Sequence, residues 1–337
     1  MKNKKTILKI TILTIILIYS VHLIRNYNEN DINLSSNNYI FSSLLKEIDI
    51  MSLHVHNNIL YAGTPDGLFK VSGSYPDYYM EKVNLDYDLN YIRALYTDNN
   101  NNFWIGSENG LLCILPNNNQ IIYSEENGLI PDNRINTITQ LSDGTIWIGS
   151  WSGATQIKEN NNIRTINKET GLINNMVNVI TEDIYGGIWF GSYNVKNGGI
   201  TYLKDNEFNY FTTENGLINN NITSYLFIDK DTLWFGSGIY ESGGITTFDL
   251  SNKTPYIKET LDISDGFAGI KVRSLYKYNK SIFIGSEYDG IAIWNDSKKI
   301  YTTDDGLANN EVKSYELYNN LLFFGTRNGL SYKKAKK

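Results

Sequence analysis

Short stretches in which apolar and polar residues alternate recur along most of the chain. Each stretch carries the same mark, an aromatic residue, one variable residue, glycine, and then serine or threonine. The mark occurs at Tyr61–Thr64, Trp104–Ser107, Trp147–Ser150, Trp189–Ser192, Trp234–Ser237, Phe283–Ser286 and Phe323–Thr326. Successive glycines of the mark are 43, 43, 42, 45, 49 and 40 residues apart. This spacing of short strands predicts a β-propeller with four strands per blade.

Two further positions define the strands inside each repeat. An isoleucine or valine lies 13 or 14 residues before each repeat glycine and marks the first strand, and a glycine begins the third strand. The last repeat has only three strands, which would leave an open sheet edge. Residues Asn38–Ser42 resemble the fourth strands of the other repeats, so we expect them to complete blade seven. The sequence therefore predicts an all-β, seven-bladed propeller over residues 38–337, as one domain.

The repeated aromatic residues are interpreted as core packing. An aromatic side chain at one position of every second strand fills the space between neighbouring blades, and the following glycine lets the backbones approach. Cys113, on a third strand, is interpreted in the same way as a small buried apolar residue. We therefore expect none of these residues to form a binding site.

The N-terminus combines lysines with an apolar stretch of 18 residues that begins at Ile7 and contains Lys9. This length is just sufficient to span a bilayer, and no small-residue cleavage site follows it. We therefore expect residues 1–24 to be a membrane anchor, with a cleaved signal peptide as the alternative. The basic start should stay in the cytoplasm. Residues 25–37 would form a tether, and the propeller would lie on the extracytoplasmic side, or be secreted or periplasmic after cleavage.

Composition limits the chemistry. The net charge of −6 argues against nucleic-acid binding, and the single cysteine excludes a disulfide within the chain and a cysteine-based zinc cluster. The three histidines are His22, His54 and His56, and no metal-ligand or Ser-His-Asp spacing is present. His54 and His56 share a strand face and could geometrically share a metal, but a surface or interblade role is favoured. We expect no cofactor, no metal and no catalytic residue.

One repeat carries a more specific signal, Gly171-Leu-Ile-Asn-Asn-Met-Val177 continuing to Gly191-Ser192, and related strings begin at Gly128, Gly216, Gly266 and Gly306. These strings resemble the two-component regulator propeller repeat over roughly residues 49–333. The resemblance implies an extracytoplasmic ligand-sensing module, of the kind found in hybrid histidine kinases that respond to glycans. The large sensors often have two such rings, an immunoglobulin-like segment and a kinase, whereas this chain has one ring. The resemblance therefore leaves the signalling step to a separate partner.

The ligand site is expected where the second-to-third strand loops and the loops between blades emerge, on one face around the central channel. Four consecutive blades present an aromatic residue in the second-to-third loop, and the loops of blades four and five are longer than most. Flat rings beside amide and carboxylate groups suit a sugar, and basic residues at the channel mouth would suit a small anion. The candidate ligand-binding residues are Trp151, Tyr193, Asn194, Tyr240, Glu241, Tyr288, Arg93 and Arg273.

Ordinary solvated loop tips remain an alternative to a site at these aromatic residues. Arg93, Arg134, Lys271, Arg273 and Lys313 could make one side of the mouth positive, but solvated or ion-paired charges are the alternative. The function predicted is a membrane-anchored sensor-like module that binds a glycan or small anion. Two alternatives stay open, an extracytoplasmic lyase or hydrolase using the rim carboxylates Glu241, Glu287 and Asp289, and a protein-binding scaffold. A seven-bladed lyase that acts on cyclic peptide antibiotics has a similar fold but needs a histidine on the later blades, and none follows His56.

Overall fold

Seven antiparallel sheets of four strands form a closed ring of blades in the described part of the chain. The computed structural model describes residues 41–44, 47–158, 162–252 and 254–335. The innermost strands of successive blades contact one another, and the innermost strand of blade seven contacts that of blade one. The predicted all-β, seven-bladed propeller is therefore confirmed.

The strands follow one another in the same order in every blade. Blade one contains β2 (Ser52–His56), β3 (Ile59–Thr64), β4 (Gly67–Ser74) and β5 (Asp77–Lys82). Blade two contains β6 (Ala94–Thr97), β7 (Phe103–Gly106), β8 (Leu111–Ile114) and β9 (Gln120–Tyr123). Blade three contains β10 (Ile135–Gln140), β11 (Ile146–Ser150), β12 (Gly153–Ile157) and β13 (Ile163–Ile166). Blade four contains β14 (Val177–Glu182), β15 (Ile188–Ser192), β16 (Ile200–Lys204) and β17 (Glu207–Phe211).

The remaining three blades repeat this order, except that the outer strand of the last one comes from the start of the chain. Blade five contains β18 (Ile222–Phe227), β19 (Thr232–Gly238), β20 (Gly243–Asp249) and β21 (Tyr256–Leu261). Blade six contains β22 (Val272–Tyr278), β23 (Ser281–Ser286), β24 (Ile291–Trp294) and β25 (Lys298–Tyr301). Blade seven contains β26 (Val312–Tyr318), β27 (Leu321–Thr326), β28 (Gly329–Lys334) and, as its outer strand, β1 (Ser42–Leu44).

The ring is held together where each repeat glycine meets the isoleucine or valine of the next blade. A Cβ atom added to Gly106 would lie 2.6 Å from Cγ2 of Ile135, and one added to Gly325 would lie 2.7 Å from Cγ2 of Ile50. The second contact joins blade seven to blade one. A Cβ atom would collide with the isoleucine side chain at these distances, so glycine is needed here for neighbouring blades to approach closely. The two sequence marks therefore form one packing contact that recurs around the ring.

The strand that closes the ring lies later in the chain than the sequence predicted. Asn38–Ser42 was expected, whereas the strand is Ser42–Leu44, with Leu44 opposite Leu330 and Ser42 opposite Tyr332. Residues 38–40 lie outside the described residues. Phe41 precedes the strand and is only 1% exposed, because its ring packs in the core against Tyr301 and Phe324. The apolar pattern placed the strand too early because Phe41 is buried in the core although it lies before the first residue of the strand.

The predicted anchor (1–24) and tether (25–37) also lie outside the described residues. Within the residues that are described, no helix has the length and apolar character needed to cross a membrane.

Repeat tryptophans fill the spaces between blades, as predicted, but their indole nitrogens differ. Trp104 Nε1 donates to Asp98 at 2.7 Å and Trp189 Nε1 donates to Asp183 at 2.9 Å. Trp147 has Leu141 in place of the aspartate, and its buried Nε1 has no hydrogen-bond partner. Cys113 is buried, as predicted, and burial raises the pKa of its thiol to about 12.

Short 3-10 helices shape four of the loops between blades, at Lys168–Thr170, Thr213–Asn215, Ile263–Asp265 and Thr303–Asp305. In three of these loops an asparagine pair follows the 3-10 helix and holds the loop, whereas the loop at Ile263–Asp265 has Gly269 and Ile270 at these positions. Asn220 Oδ1 accepts a hydrogen bond from the Thr213 amide, and Asn219 Oδ1 accepts one from the Asn221 amide. Asn219 Nδ2 also donates to Ser242 in the second-to-third loop of blade five. The repeat asparagines therefore hold the conformation of loops on the face where a ligand is expected.

Candidate functional site

The loop face is defined here as the side from which the second-to-third loops and the loops between blades emerge. At the mouth of the channel on this face, the first strands of blades three to seven each begin with a β-bulge. A bulge leaves one residue unpaired and redirects its side chain. The bulged residues are Asn136, Asn178, Thr223, Arg273 and Lys313. The bulges therefore explain why Arg273 lies at the mouth.

The bulged residues of blades three to five are uncharged. There the bulged residues donate hydrogen bonds to the carbonyl of the next blade's isoleucine or valine. Asn136 Nδ2 donates to Val177 O at 3.1 Å, Asn178 Nδ2 donates to Ile222 O at 3.2 Å, and the Thr223 hydroxyl donates to Val272 O. These side chains connect neighbouring blades, so their role is structural.

The basic residues at the mouth are paired with carboxylates. Lys313 Nζ lies 2.7 Å from Asp49 Oδ1, and Arg273 Nε lies 3.4 Å from Glu311 Oε1. The other ion pairs are Arg93 with Glu108, Arg134 with Asp132, and Lys271 with Glu287. Of the alternatives for these basic residues, free positive charge or ion pairing, the structure contains the ion pairs. Because the five cations have acidic partners, the mouth does not have the strong positive charge that would favour a small anion.

Two tyrosines of the predicted set form an exposed pair on the loop face. Tyr240 belongs to the second-to-third loop of blade five, which is no longer than that of blade six because β19 and β20 extend into it. Tyr288 belongs to the loop of blade six, and the two residues are 78% and 51% exposed. Their ring centres lie 6.0 Å apart at an interplanar angle of 72°. Glu241 follows Tyr240 and is exposed beside it. Adjacent loops thus bring two aromatic rings together, and an exposed carboxylate follows one of them in the sequence.

The other two predicted aromatic residues contact cations. Tyr193, in the long loop of blade four, is half-buried, and its hydroxyl lies 3.4 Å from Lys271 Nζ. Because Lys271 belongs to blade six, this contact spans blade five. Trp151 lies under Arg134, whose Cζ is 4.4 Å from the ring centre. The four aromatic residues therefore do not form one uniform surface: one pair is free for stacking and two rings already have partners.

Asn194 has a local structural role. Its Oδ1 accepts hydrogen bonds from the amides of Lys196 and Asn197 at 3.1 and 2.9 Å. This arrangement fixes the shape of the long loop in blade four, which begins at Tyr193. Asn194 therefore shapes the loop, and its carbonyl oxygen is already in use.

Tyr91 is an exposed aromatic residue of the mouth that sequence reasoning missed. It directly precedes Ile92, at the position that Arg134 and Lys271 occupy in their blades, and its ring lies 5.7 Å from Arg93 Cζ. Its position directly before the first-strand isoleucine or valine, shared with Arg134 and Lys271, could have identified it.

Behind the mouth, the central channel contains a cavity of about 270 Å³. Its lining comes from the first strands of blades three to seven and is rich in hydroxyl groups, including Thr137, Thr223, Tyr225, Ser274, Tyr276 and Tyr315. Arg273 and Lys313 reach it from the mouth. The channel could therefore take the polar end of a ligand bound at the loop face.

The two propeller histidines lie between blades. His54 Nε2 and His56 Nδ1 lie 2.9 and 3.0 Å from the Thr97 hydroxyl of blade two, and His54 Nδ1 lies 3.8 Å from Glu316 of blade seven. Burial, with a smaller contribution from the charge of His56, lowers the pKa of His54 to about 4, and burial raises the pKa of Glu316 to about 7. No group of side chains suited to a metal ion occurs among the described residues. The favoured interblade role of these histidines agrees with these contacts.

The rim carboxylates named for an enzyme differ in their contacts. Glu287 is paired with Lys271, and Asp289 Oδ2 accepts a hydrogen bond from the Ser286 hydroxyl at 3.3 Å. For neither Glu287 nor Asp289 do these contacts include a histidine or a second carboxylate that would serve as an acid–base partner. The contacts of Glu287 and Asp289 are therefore an ion pair and a hydrogen bond within the loop.

Comparison with known proteins confirms the predicted repeat family. Residues 86–109, 129–152 and 171–194 match the family described as two component regulator propeller. Each matched stretch runs through a repeat mark and ends in or next to a second-to-third loop. At the sequence level, no curated protein matches the chain.

Solved structures share the fold at low sequence identity. The extracellular domain of the hybrid two component system BT3049 of B. thetaiotaomicron has a TM-score of 0.71 and 17% identity, over 88% of this chain and 42% of that one. The extracellular domain of the one component system BT4673 of the same organism has a TM-score of 0.67 and 17% identity, over 88% and 40%. The chain thus spans about two fifths of the length of these domains.

A lyase has a similar fold as well. Virginiamycin B lyase from Staphylococcus aureus has a TM-score of 0.63 and 11% identity, over 87% of this chain and 98% of that one. At these identities the likeness concerns the fold alone.

Proposed function

We propose that this chain is an extracytoplasmic, sensor-like binding module that holds a sugar on its loop face and acts through a separate partner. The proposal is supported by the repeat family and by the fact that two structural neighbours are extracellular domains of two component and one component systems. The module would be tied to the membrane through residues 1–24.

The observation that carries the proposal is the exposed contact between Tyr240 and Tyr288. Removing the surface of an aromatic ring from water lowers the free energy. Two rings held in exposed loops therefore favour binding of a ligand with an apolar face. A pyranose ring has such a face, and its hydroxyl groups need donors and acceptors, which Glu241 and the hydroxyl-rich channel would provide.

A sugar is favoured over a simple anion because of the ion pairs at the mouth. An anion would have to compete with Glu311, Asp49 and Glu287 for the same cations. A neutral or weakly acidic sugar would avoid this competition, since stacking on aromatic rings needs no net charge.

A glycan array tests the proposal directly. The fragment that begins at Ser35 would be applied to the array beside the same fragment carrying Tyr240→Ala and Tyr288→Ala. We expect the wild-type fragment to bind a restricted set of glycans and the double variant to lose these signals. Absence of any glycan signal, or equal signals for both proteins, would contradict the proposal. Turnover of a bound glycan would instead support the enzyme alternative.

A further inference from the structure

A second cavity, of about 290 Å³, lies between blades two and three, away from the loop face. Its walls include Trp104, Cys113 and Tyr123 of blade two, and Ile146 and Ile157 of blade three. Asn102 and Gln140, which are partly exposed, and Lys158, which is exposed, also line it and lie towards its opening. The cavity therefore has a mostly apolar lining with a few polar groups, among them the buried carboxylate of Asp98, as small-molecule sites have.

The same space between blades four and five is filled by aromatic side chains of the protein. There Trp189 contacts Tyr202 and Phe248, with ring centres 4.5 and 5.0 Å away. Strand register relates the two places. Trp189 pairs with Tyr202 as Trp104 pairs with Cys113.

Cys113 in place of a tyrosine is one difference between the two interblade spaces, and a second lies in the following blade. Leu233 pairs with Phe248 in blade five, and the corresponding pair in blade three is Ile146 with Ile157. The positions filled by Tyr202 and Phe248 are therefore occupied by Cys113 and Ile157 beside Trp104. In the described chain, the ring contact of Trp104 is with Tyr123 alone, at 5.8 Å. The cavity thus corresponds to space that two aromatic rings fill between the later blades.

The electrostatics of the interior favour an uncharged occupant. Asp98 is the carboxylate of the cavity wall, and its two oxygens accept hydrogen bonds from the amides of Asn100 and Asn102, from Asn102 Nδ2 and from Trp104 Nε1. With these donors in place, Asp98 needs no cation from a ligand. An ionised ligand would instead lose hydration in an apolar space.

We propose that this cavity is a binding site for a small, uncharged aromatic molecule of one ring that packs against Trp104. Such a ligand would take the position that the Tyr202 ring occupies against Trp189. A polar substituent would point towards Asn102, Gln140 or Lys158 at the opening. The site is separate from the loop face and does not depend on the function proposed for that face.

The probe is p-cresol, which has the structure of a tyrosine side chain. Its affinity for the full-length protein would be measured by isothermal titration calorimetry, and the site would be located by soaking crystals with 4-iodophenol and finding the iodine. We expect saturable binding at one site, with iodine between blades two and three. The variant Cys113→Tyr should weaken binding at least tenfold, because it fills the cavity with the side chain found in blade four.

Matched controls separate the cavity from other effects. Cys113→Ala keeps the space open and should bind p-cresol within about threefold of wild type, and Tyr240→Ala should bind it unchanged. If Cys113→Tyr does not fold, Ile157→Phe fills the cavity from the other blade and should weaken binding in the same direction. The proposal is overturned if wild type does not bind p-cresol, if the filled variant binds it equally well, or if the iodine lies elsewhere.

Discussion

The ring of Phe41 lies almost perpendicular to that of Phe324, with ring centres 5.2 Å apart and an interplanar angle of 82°. Phe41 comes from the first described residues of the chain and Phe324 from β27, so the contact joins the two ends of the propeller sequence. Together with the pairing of β1 and β28, it closes blade seven.

Closure should therefore depend on Phe41 as much as on the strand itself. We expect Phe41→Ala to reduce the free energy of unfolding by about 3 to 5 kcal/mol, since it empties a buried aromatic site. A fragment that begins at Glu47 lacks both Phe41 and β1 and should unfold at a clearly lower temperature than one that begins at Ser35. Equal melting temperatures for the two fragments would show that the N-terminal strand does not hold the ring.

The tryptophans of blades three and four allow a matched comparison of one hydrogen bond. Trp189→Phe removes the donor to buried Asp183, whereas Trp147→Phe removes an indole nitrogen that has no partner. Because an unsatisfied buried group costs about 1 to 3 kcal/mol, Trp189→Phe should be the more destabilising change by about that amount. Urea denaturation of both variants measures the difference. A larger loss for Trp147→Phe would contradict this account.

The sequence predicted the fold well because the packing contact between blades requires glycine and a β-branched residue at positions that recur in every repeat. Each repeat glycine and the isoleucine or valine of the next blade meet in the structure, so both had to recur with a fixed spacing. The closing strand was placed too early because Phe41, though apolar, packs before the strand begins. The cavity beside Trp104 could not be predicted from spacing, since it depends on the sizes of Cys113 and Ile157 in two different blades.

The contributions of His54 and Glu316 to the pH dependence of stability should largely cancel in the wild-type protein. Glu316 has a pKa of about 7 when folded and 4.5 when unfolded, so its burial favours the folded state at low pH and this contribution falls as pH rises from 4.5 to 7. His54 has a pKa of about 4 when folded and 6.5 when unfolded, so its contribution rises with pH from 4 to 6.5. The two slopes oppose each other over most of this range.

Single substitutions should separate these slopes. Glu316→Gln should leave a stability that rises between pH 4 and 6.5, to which the lowered pKa of His56 adds. His54→Gln should leave a stability that decreases from pH 4.5 to 7 relative to wild type. Urea midpoints measured at half-unit steps provide the test. Parallel pH profiles for wild type and both variants would contradict the assignment.

Lys271 and Glu287 form an enclosed ion pair at the mouth, with exposed side-chain fractions of 8% and 18%. Glu287→Gln should destabilise the protein by about 3 kcal/mol, because it leaves Lys271 charged and without its acidic partner. The double variant Lys271→Met with Glu287→Leu should recover most of this loss. A double variant no more stable than Glu287→Gln would indicate that the pair does more than balance charge.

The candidate site was less predictable than the fold. Basic residues at the mouth were visible in the sequence, but their acidic partners come from other loops and blades, as with Lys313 and Asp49. Spacing also placed Tyr193 and Tyr240 in neighbouring long loops without indicating that Tyr193 contacts Lys271 two blades away. Contacts across a ring depend on side-chain direction, which the repeat does not fix.

The central claim is that the exposed pair of Tyr240 and Tyr288 binds a sugar. Its most direct test is the affinity of the fragment from Ser35 for a glycan identified on the array, measured for wild type, for Tyr240→Ala with Tyr288→Ala, and for Tyr256→Ala. Tyr256 is an exposed tyrosine on the outer strand of blade five and serves as the control. We predict that the double variant loses about 1 to 3 kcal/mol of binding free energy, while its melting temperature and the affinity of Tyr256→Ala stay unchanged. Unchanged affinity in the double variant would contradict the account and direct attention to the channel mouth around Arg93 and Arg273.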